Sequence, residues 1–336
     1  MGVKIRVGSW NVYNDNIWHS VREATGSITP KCFQNGSRLR FLRERFSCTP
    51  FDIMCLQEVS PVMISSLQKE FAHNNFTLVA PPQSTLTPNS NNCCVLFDKK
   101  FKLVAKKYFN LSEAVSTHLV GYAHQGKSDI EDAFIKELRV RNSMATMLIL
   151  ELPQTKILLT VCNCHLHWNP AYADVKVFHA FLIVKELFQF VRSALESFPF
   201  VPLLLVGDFN STPGLNTQGT PSDGQLSGVY ELLTTGRLSM KHPHHPAQLR
   251  KDEAFLKYPE LRVDPFQSAF KEVNGAEPAF TNKTTTFSGC IDFIFFKGLI
   301  PLSAQTVPGD LGKSEVFPNG KIPSDHLLLV SEFFLV

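Results

Sequence analysis

The chain has 336 residues, of which 44% are hydrophobic and 19% charged, a balance that excludes a disordered, collagen-like or acidic-tail protein. Thirty-three Lys and Arg stand against 30 Asp and Glu, and the sequence pI near 8.4 falls short of the roughly 9 typical of domains that bind nucleic acid by charge alone. No apolar run reaches the roughly 18 residues of a membrane span, and the eight cysteines show no small-domain disulfide spacing, so a soluble protein of a reducing compartment is expected: the cytoplasm, with nuclear access left open.

A first strand is expected from Ile5 to Asn11, which alternates from its start and lacks the long apolar core of a secretory signal. Met1-Gly2 is not read as a lipidation start, because Arg6 stands where Ser or Thr is wanted. A helix over Ser37 to Phe46 carries Arg38, Arg40, Arg43 and Arg45, and a lysine cluster runs from Lys99 to Lys107. Either suits a phosphate groove, but a solvated helix face and a charged edge strand are the favoured readings.

Further strands are expected over Phe51 to Glu58, Ile157 to His167, Val201 to Asn210, Ile291 to Phe296 and Leu327 to Leu335. Between Asn169 and Phe198 the apolar period changes to three and four through Val177, Phe181, Val184, Phe188, Val191 and Leu195, so a long amphipathic helix is predicted. Asn169 is placed to cap it, Pro170 suits its first turn and Pro199 ends it. Pro81 to Asn92, Ser112 to Arg141 and Pro213 to Gly228 read as surface insertions. Strands and helices intermix without a compositional break, giving one domain over 1–336 with two packed sheets and helices outside.

The strands end in polar residues, and there the chemistry is expected. Val161 to His167 offers two cysteines and two histidines, but strand alternation puts Cys162 and Cys164 on one face and Asn163, His165 and His167 on the other, so no zinc site forms. The His242, His244 and His245 group reads as a turn between prolines. Alternation sets Asp208 and Asn210 side by side after an apolar strand. Asp292 puts a carboxylate into an apolar strand, where it needs a partner, and Ser324-Asp325-His326 offers a histidine beside a second carboxylate. Glu58 and Asn11 add a carboxylate and an amide at two more strand ends. Hard oxygen ligands of this kind suit Mg²⁺ or Mn²⁺ and phosphoryl-ester chemistry.

Trp10-Asn11, Leu56-Gln57-Glu58, His165, Gly207-Asp208-Phe209-Asn210, Ile291-Asp292-Phe293 and Ser324-Asp325-His326 follow the order and spacing of the endonuclease/exonuclease/phosphatase superfamily, which the sequence resembles over nearly its whole length. His165 to Lys176, Tyr230 to Leu233 with Gly236 and His242-Pro243, and Phe280 to Asn282 with Phe287 to Asp292 resemble its CCR4-type deadenylase branch, which includes Angel-like and nocturnin-like RNA hydrolases. Two positions depart from that pattern: Phe293 replaces a tyrosine, and Asn91-Asn92-Cys93 stands where Asp-Gly-Cys is common.

The resemblance implies a DNase I-like, four-layered α/β sandwich, two mixed sheets flanked by helices. It implies a Mg²⁺-dependent 3′–5′ exoribonuclease acting on single-stranded RNA, with poly(A) as the expected substrate and Mn²⁺ able to substitute. Glu58 and Asn11 would hold one ion of two, with Asp325 in the region of the second. Asp208, Asn210, His165, Asp292 and His326 would be catalytic. Phe287 and Pro170 would hold a base, with Asn210 and His165 also touching substrate. An Angel-like RNA-end phosphatase and a catalytically dead RNA-binding module are the alternatives. No membrane contact is expected, and attachment to a CCR4-NOT-like scaffold through leucine-rich repeats is not, since none precede the first strand. A glycan on the Asn210-Ser211-Thr212 sequon would block the site, which again disfavours secretion.

Overall fold

The computed structural model describes residues 2–14, 35–48, 51–71, 75–86, 92–118, 133–141, 143–195, 200–215, 224–250, 258–308, 315–319 and 321–335. Pro199, Asn91 and the central parts of the three expected insertions lie outside these residues.

In chain order the strands are β1 (Val3–Asn11), β2 (Ile53–Val59), β3 (Phe76–Val79), β4 (Asn92–Asp98), β5 (Lys102–Asn110), β6 (Met144–Leu152), β7 (Ile157–His165), β8 (Leu203–Asp208), β9 (Arg237–Leu238), β10 (Leu261–Arg262), β11 (Gln267–Ser268), β12 (Asn282–Lys283), β13 (Ser288–Gly289), β14 (Asp292–Lys297), β15 (Ile300–Val307) and β16 (Leu328–Leu335). Two six-stranded sheets result, ordered β15-β16-β1-β2-β4-β3 and β11-β14-β8-β7-β6-β5. Both are mixed: β1–β2 and β7–β8 run parallel, whereas β1–β16 and β8–β14 run antiparallel.

Period-two alternation builds the layers. On β2, Ile53 and Cys55 face the other sheet while Met54 and Leu56 face helices; on β8, Leu204 and Val206 point inward, Leu203 and Leu205 outward. The first sheet's outer face packs on α1 (Asn35–Cys48) and α2 (Pro61–Phe71). The second sheet's outer face is covered by α3 (Leu111–His118), α4 (Ala133–Val140) and α5 (Ala173–Ala194). The order helix, sheet, sheet, helix is the expected sandwich.

Several expectations shift in detail. The long helix is preceded by a 3-10 turn over Pro170–Tyr172, which Asn169 caps by accepting from Ala171 N, and the α-helix proper begins at Ala173. Of the Lys99–Lys107 stretch, Lys102 to Lys107 lie on β5, a sheet edge, with Lys107 paired to Glu186 and Lys100 to Asp52; this is the charged edge strand. On α1, Arg38 is buried with its Nε donating to Pro323 O, and Arg43 pairs with Glu70, so these arginines do not form a phosphate groove. Among the described residues no helix is long and apolar enough to cross a membrane.

Candidate active site

The same topology that builds the sheets collects the polar strand ends. Because β1, β2, β7 and β8 end where the antiparallel β14 and β16 begin, six chain segments meet at one mouth of the seam between the sheets. Inward alternation then carries Ser9 and Asn11 on β1, Gln57 on β2, Asn163 and His165 on β7, Asp208 on β8 and Asp292 on β14 into that seam. In the second sheet, His165 is registered against Asp208 and Asp208 against Asp292, so three of the expected residues lie side by side.

Two residues reach the mouth by leaving regular geometry. Alternation would send Glu58 toward the helices with Leu56, but a register shift between Leu56 and Val59 and a left-handed φ of 56° turn it into the seam. Backbone strain of this kind costs about 1–3 kcal/mol and is retained where surrounding bonds fix it; here Asn14 N donates to Glu58 Oε2 at 2.9 Å and Asn11 Nδ2 to Oε1 at 3.1 Å. Asn210 also departs from the expectation that it shares a strand face with Asp208. The strand ends at Asp208, and Asn210 sits in a left-handed turn with φ 47°, a conformation Asn tolerates. Its backbone N donates to Asp208 Oδ1 at 2.8 Å and its Nδ2 to Leu166 O at 2.9 Å. Gly207 permits the turn's approach, since a Cβ there would lie 1.9 Å from Cys164 O.

The expected residues converge. Asp208 Oδ2 is 3.0 Å from Asn11 Nδ2, 3.5 Å from His165 Nε2 and 3.7 Å from His326 Nε2. His165 Nε2 also lies 3.0 Å from Asn210 Nδ2 and 3.9 Å from Glu58 Oε1. His326 Nδ1 bonds Asp292 Oδ2 at 2.8 Å, the expected partner for that buried carboxylate, and its Nε2 is 3.8 Å from Asp325 Oδ1. Ligand atoms of Asp208, Asp292 and His326 all lie within 4.8 Å of one another. Asn11 Oδ1 accepts from Tyr13 N at 3.0 Å, while its Nδ2 faces Glu58 and Asp208.

Electrostatics follow from the crowding. Burial and the neighbouring Asp292 push Asp208 up to about 6, against the pull of His165 and His326, and burial also raises Asp325. Burial alone would lower His326, but Asp292, Asp325 and Asp208 outweigh it and hold the imidazole protonated, well above its ordinary value. Asp292 Oδ1 and Asp325 Oδ1 are buried without a hydrogen-bond partner. Four carboxylates crowded around one protonated imidazole, two of them with orphaned oxygens, make a donor set that fits a hard divalent cation.

Sequence reasoning missed the supporting residues. Beneath the mouth, Asn163 Nδ2 donates across the seam to Leu56 O at 2.9 Å and Cys94 O at 2.8 Å, and its Oδ1 accepts from Gln57 Nε2 at 2.8 Å, tying the sheets together. Thr281, fully buried, donates through Oγ1 to Asp292 Oδ2 at 2.6 Å and accepts from Ile291 N and Asp292 N. Asn282 Nδ2 donates to Asp325 Oδ2 at 3.1 Å. Lys176, 5% exposed, donates from Nζ to Asn210 O at 2.6 Å; burial lowers it to about 8, with Asp208 pulling it partly back. An inward-facing polar residue one turn deeper than the predicted site was the available signal for Gln57 and Asn163.

Phe287 is half-buried at the β12–β13 hairpin, in none of the hydrophobic clusters of the described residues, with its ring over Gly289. Pro170 is exposed. Phe293 packs away from the mouth, stacked on Phe295 at 5.1 Å between ring centroids, so the departure from tyrosine falls in the core. His242, His244 and His245 each spend a ring nitrogen on the backbone, as a turn would.

A two-sheet sandwich with a buried carboxylate and histidine cluster at one end of its seam is the architecture of metal-assisted phosphoester hydrolases. The chain belongs to the Endonuclease/Exonuclease/phosphatase family, which matches residues 8–326. It is 26% identical to the CCR4-Not complex 3'-5'-exoribonuclease subunit Ccr4 of Aspergillus niger, over 84% of this chain and 44% of that one. It is 25% identical to the Schizosaccharomyces pombe Ccr4 subunit, over 95% and 53%. The chain thus spans about half the length of these curated relatives. The fold resembles crystal structures of ANGEL2, a 2',3'-cyclic phosphatase, with a TM-score of 0.72 at 18% identity over 99% of this chain and 96% of that one. The human Nocturnin catalytic domain matches with a TM-score of 0.60 at 19% identity, covering 99% and 94%.

Proposed function

We propose that the protein is a Mg²⁺-dependent 3′–5′ exoribonuclease of single-stranded RNA, with poly(A) its preferred substrate, working in the cytoplasm. The observation that carries this reading is the meeting of Asn11, Glu58, His165, Asp208, Asp292 and His326 from six chain segments at one mouth. Glu58, with Asn11 beside it, and Asp325 would hold two Mg²⁺ ions, or Mn²⁺ in their place, which when bound neutralise charge growing on the phosphodiester.

The protein's own groups do the rest. Asp208, with its carboxyl near 6, is poised at neutral pH to take a proton from the attacking water. His326, oriented through Nδ1 by Asp292 and protonated, presents Nε2–H to a phosphate oxygen. Asn210, held by its left-handed turn and by its bond to Leu166 O, would offer its second amide hydrogen on the other side by exchanging the His165 contact for a phosphate oxygen. Water forms the new P–O bond, the bond to the 3′ oxygen of the shortened chain breaks, and that oxygen takes up a proton. Phe287 and Pro170 supply faces on which adenine stacks, at about 1–3 kcal/mol per base.

Incubation with 5′-labelled poly(A), poly(U) and a cyclic-phosphate-ended RNA in Mg²⁺ tests this. A ladder shortening from the 3′ end on poly(A) supports it. Removal of the terminal phosphate without shortening would instead assign an Angel-like RNA-end phosphatase, and inertness on all three a binding module.

A further inference from the structure

The loop that follows His165 holds an aromatic side chain for which the fold has no use. Trp168 is 68% exposed and belongs to none of the hydrophobic clusters of the described residues. Single exposed apolar residues are common; here the backbone around this one is fixed on both sides. Leu166 N donates to Asp208 O at 2.9 Å, and Leu166 O accepts from Asn210 Nδ2 at 2.9 Å, so the loop is pinned to the catalytic turn. Just beyond, Asn169 caps the 3-10 turn. The indole itself leans on the His167 ring, 5.9 Å between centroids, and His167 in turn on Tyr172 at 5.5 Å. The Arg141 guanidinium lies 4.1 Å from the Tyr172 ring centre, which puts a cation beside this row of rings even though it also pairs with Glu137.

Burial lowers His167 to about 4, so its ring meets the indole as a neutral aromatic at physiological pH. A solvent-facing aromatic plane on a pinned loop, with a cation two rings along the row, suits an unpaired nucleobase and the phosphate that follows it. Position sets its reach. Three residues separate His165 from Trp168, at most about 10 Å of extended chain, whereas stacked nucleotides advance about 3.4 Å each. Adding the reach of the two side chains, the plane lies a few nucleotides from the reacting phosphate.

We propose that Trp168 is a second base platform, beyond Phe287 and Pro170, so that the enzyme engages several consecutive unpaired nucleotides and prefers oligonucleotides to terminal dinucleotides. This rests on the RNA reading above and names the length of substrate the site takes.

The test is binding of fluorescein-labelled hexa-adenylate in EDTA, where no turnover interferes, to wild type, Trp168→Ala and Trp168→Phe, with a hexamer of abasic ribose phosphates as the second probe. Stacking of the size given for one base corresponds to a loss of about five- to 150-fold in affinity for Trp168→Ala, with Trp168→Phe restoring most of it. The abasic hexamer should bind all three proteins equally. Quenching of tryptophan emission by hexa-adenylate, measured in a Trp18→Phe background, should disappear when Trp168→Phe is added, since the remaining Trp10 is buried. Equal affinity of wild type and Trp168→Ala for hexa-adenylate, or an equal loss on the abasic probe, overturns the platform while leaving the exoribonuclease reading intact. A wild-type protein that neither binds nor shortens RNA overturns both.

Discussion

Thr281→Val removes one oxygen and leaves the shape. Thr281 Oγ1 is the hub of three bonds: it donates to Asp292 Oδ2 at 2.6 Å and accepts from Ile291 N at 2.9 Å and Asp292 N at 3.0 Å, with the residue fully buried. The bond to a carboxylate is worth about 1.5–3 kcal/mol, and each buried N–H left without an acceptor costs about 1–3 kcal/mol. Even at the low end of these ranges, and allowing for the extra methyl of valine, the variant should lose about 3 kcal/mol or more, a large part of the 5–15 kcal/mol typical of a folded domain. Asp292 would also lose one of its two side-chain restraints, leaving His326 alone to orient it, so turnover should fall as well. Urea unfolding followed by circular dichroism at pH 7 measures the first effect. Thr281→Ser, which keeps the hydroxyl, should stay within about 2 kcal/mol of wild type. A valine variant as stable as the serine variant would show that this hydroxyl does not hold the Asp292 strand end in place.

Lys176→Met should leave the fold standing, because it removes a buried charge along with its bond to Asn210 O, yet lower kcat about ten-fold or more with little change in KM; unchanged kcat would mean the lysine does not position the catalytic turn. Stability should fall as pH drops from about 6.5 to 4, because His179 is lowered to about 4 by burial and the unfolded chain takes up a proton the folded chain refuses. That one group corresponds to about 3 kcal/mol. The raised Asp208 acts in the opposite sense between about 6 and 3.8, so the histidine's share is read as the difference between wild type and His179→Gln across the pH series. Parallel curves for the two proteins would contradict it.

How much of this was legible in the sequence depends on geometry. Wherever a residue obeys strand alternation, its place in the seam could be read from the pattern: Asn11, His165, Asp208 and Asp292 each continue an inward-facing row. Glu58 and Asn210 were recognised as site residues, but their route into the mouth was not, because each arrives through a left-handed backbone that no periodicity announces. Strands β4 and β6 were open to prediction, since both are apolar runs of ordinary strand length. The edge strand β15 is not, for its residues alternate only between exposed and half-buried, and edges carry polar and charged side chains that blur the pattern. Thr281 and Lys176 escape for another reason. Each acts through a neighbour distant in sequence, and only packing reveals what a threonine before a strand, or a lysine in a helix's first turn, is bonded to.

If the carboxylates gathered at the seam's mouth hold divalent metal for the proposed chemistry, the ion itself can be seen there. Anomalous diffraction from crystals soaked in Mn²⁺ reads this without an activity assay. A peak is expected at about 2.0–2.2 Å from carboxylate oxygens of the Glu58, Asp208, Asp292 and Asp325 group, and the peak against Glu58 should be lost in Glu58→Gln. Strong Mn²⁺ peaks only elsewhere on the molecule, or none at all in crystals whose dissolved protein degrades RNA in Mn²⁺, would contradict it.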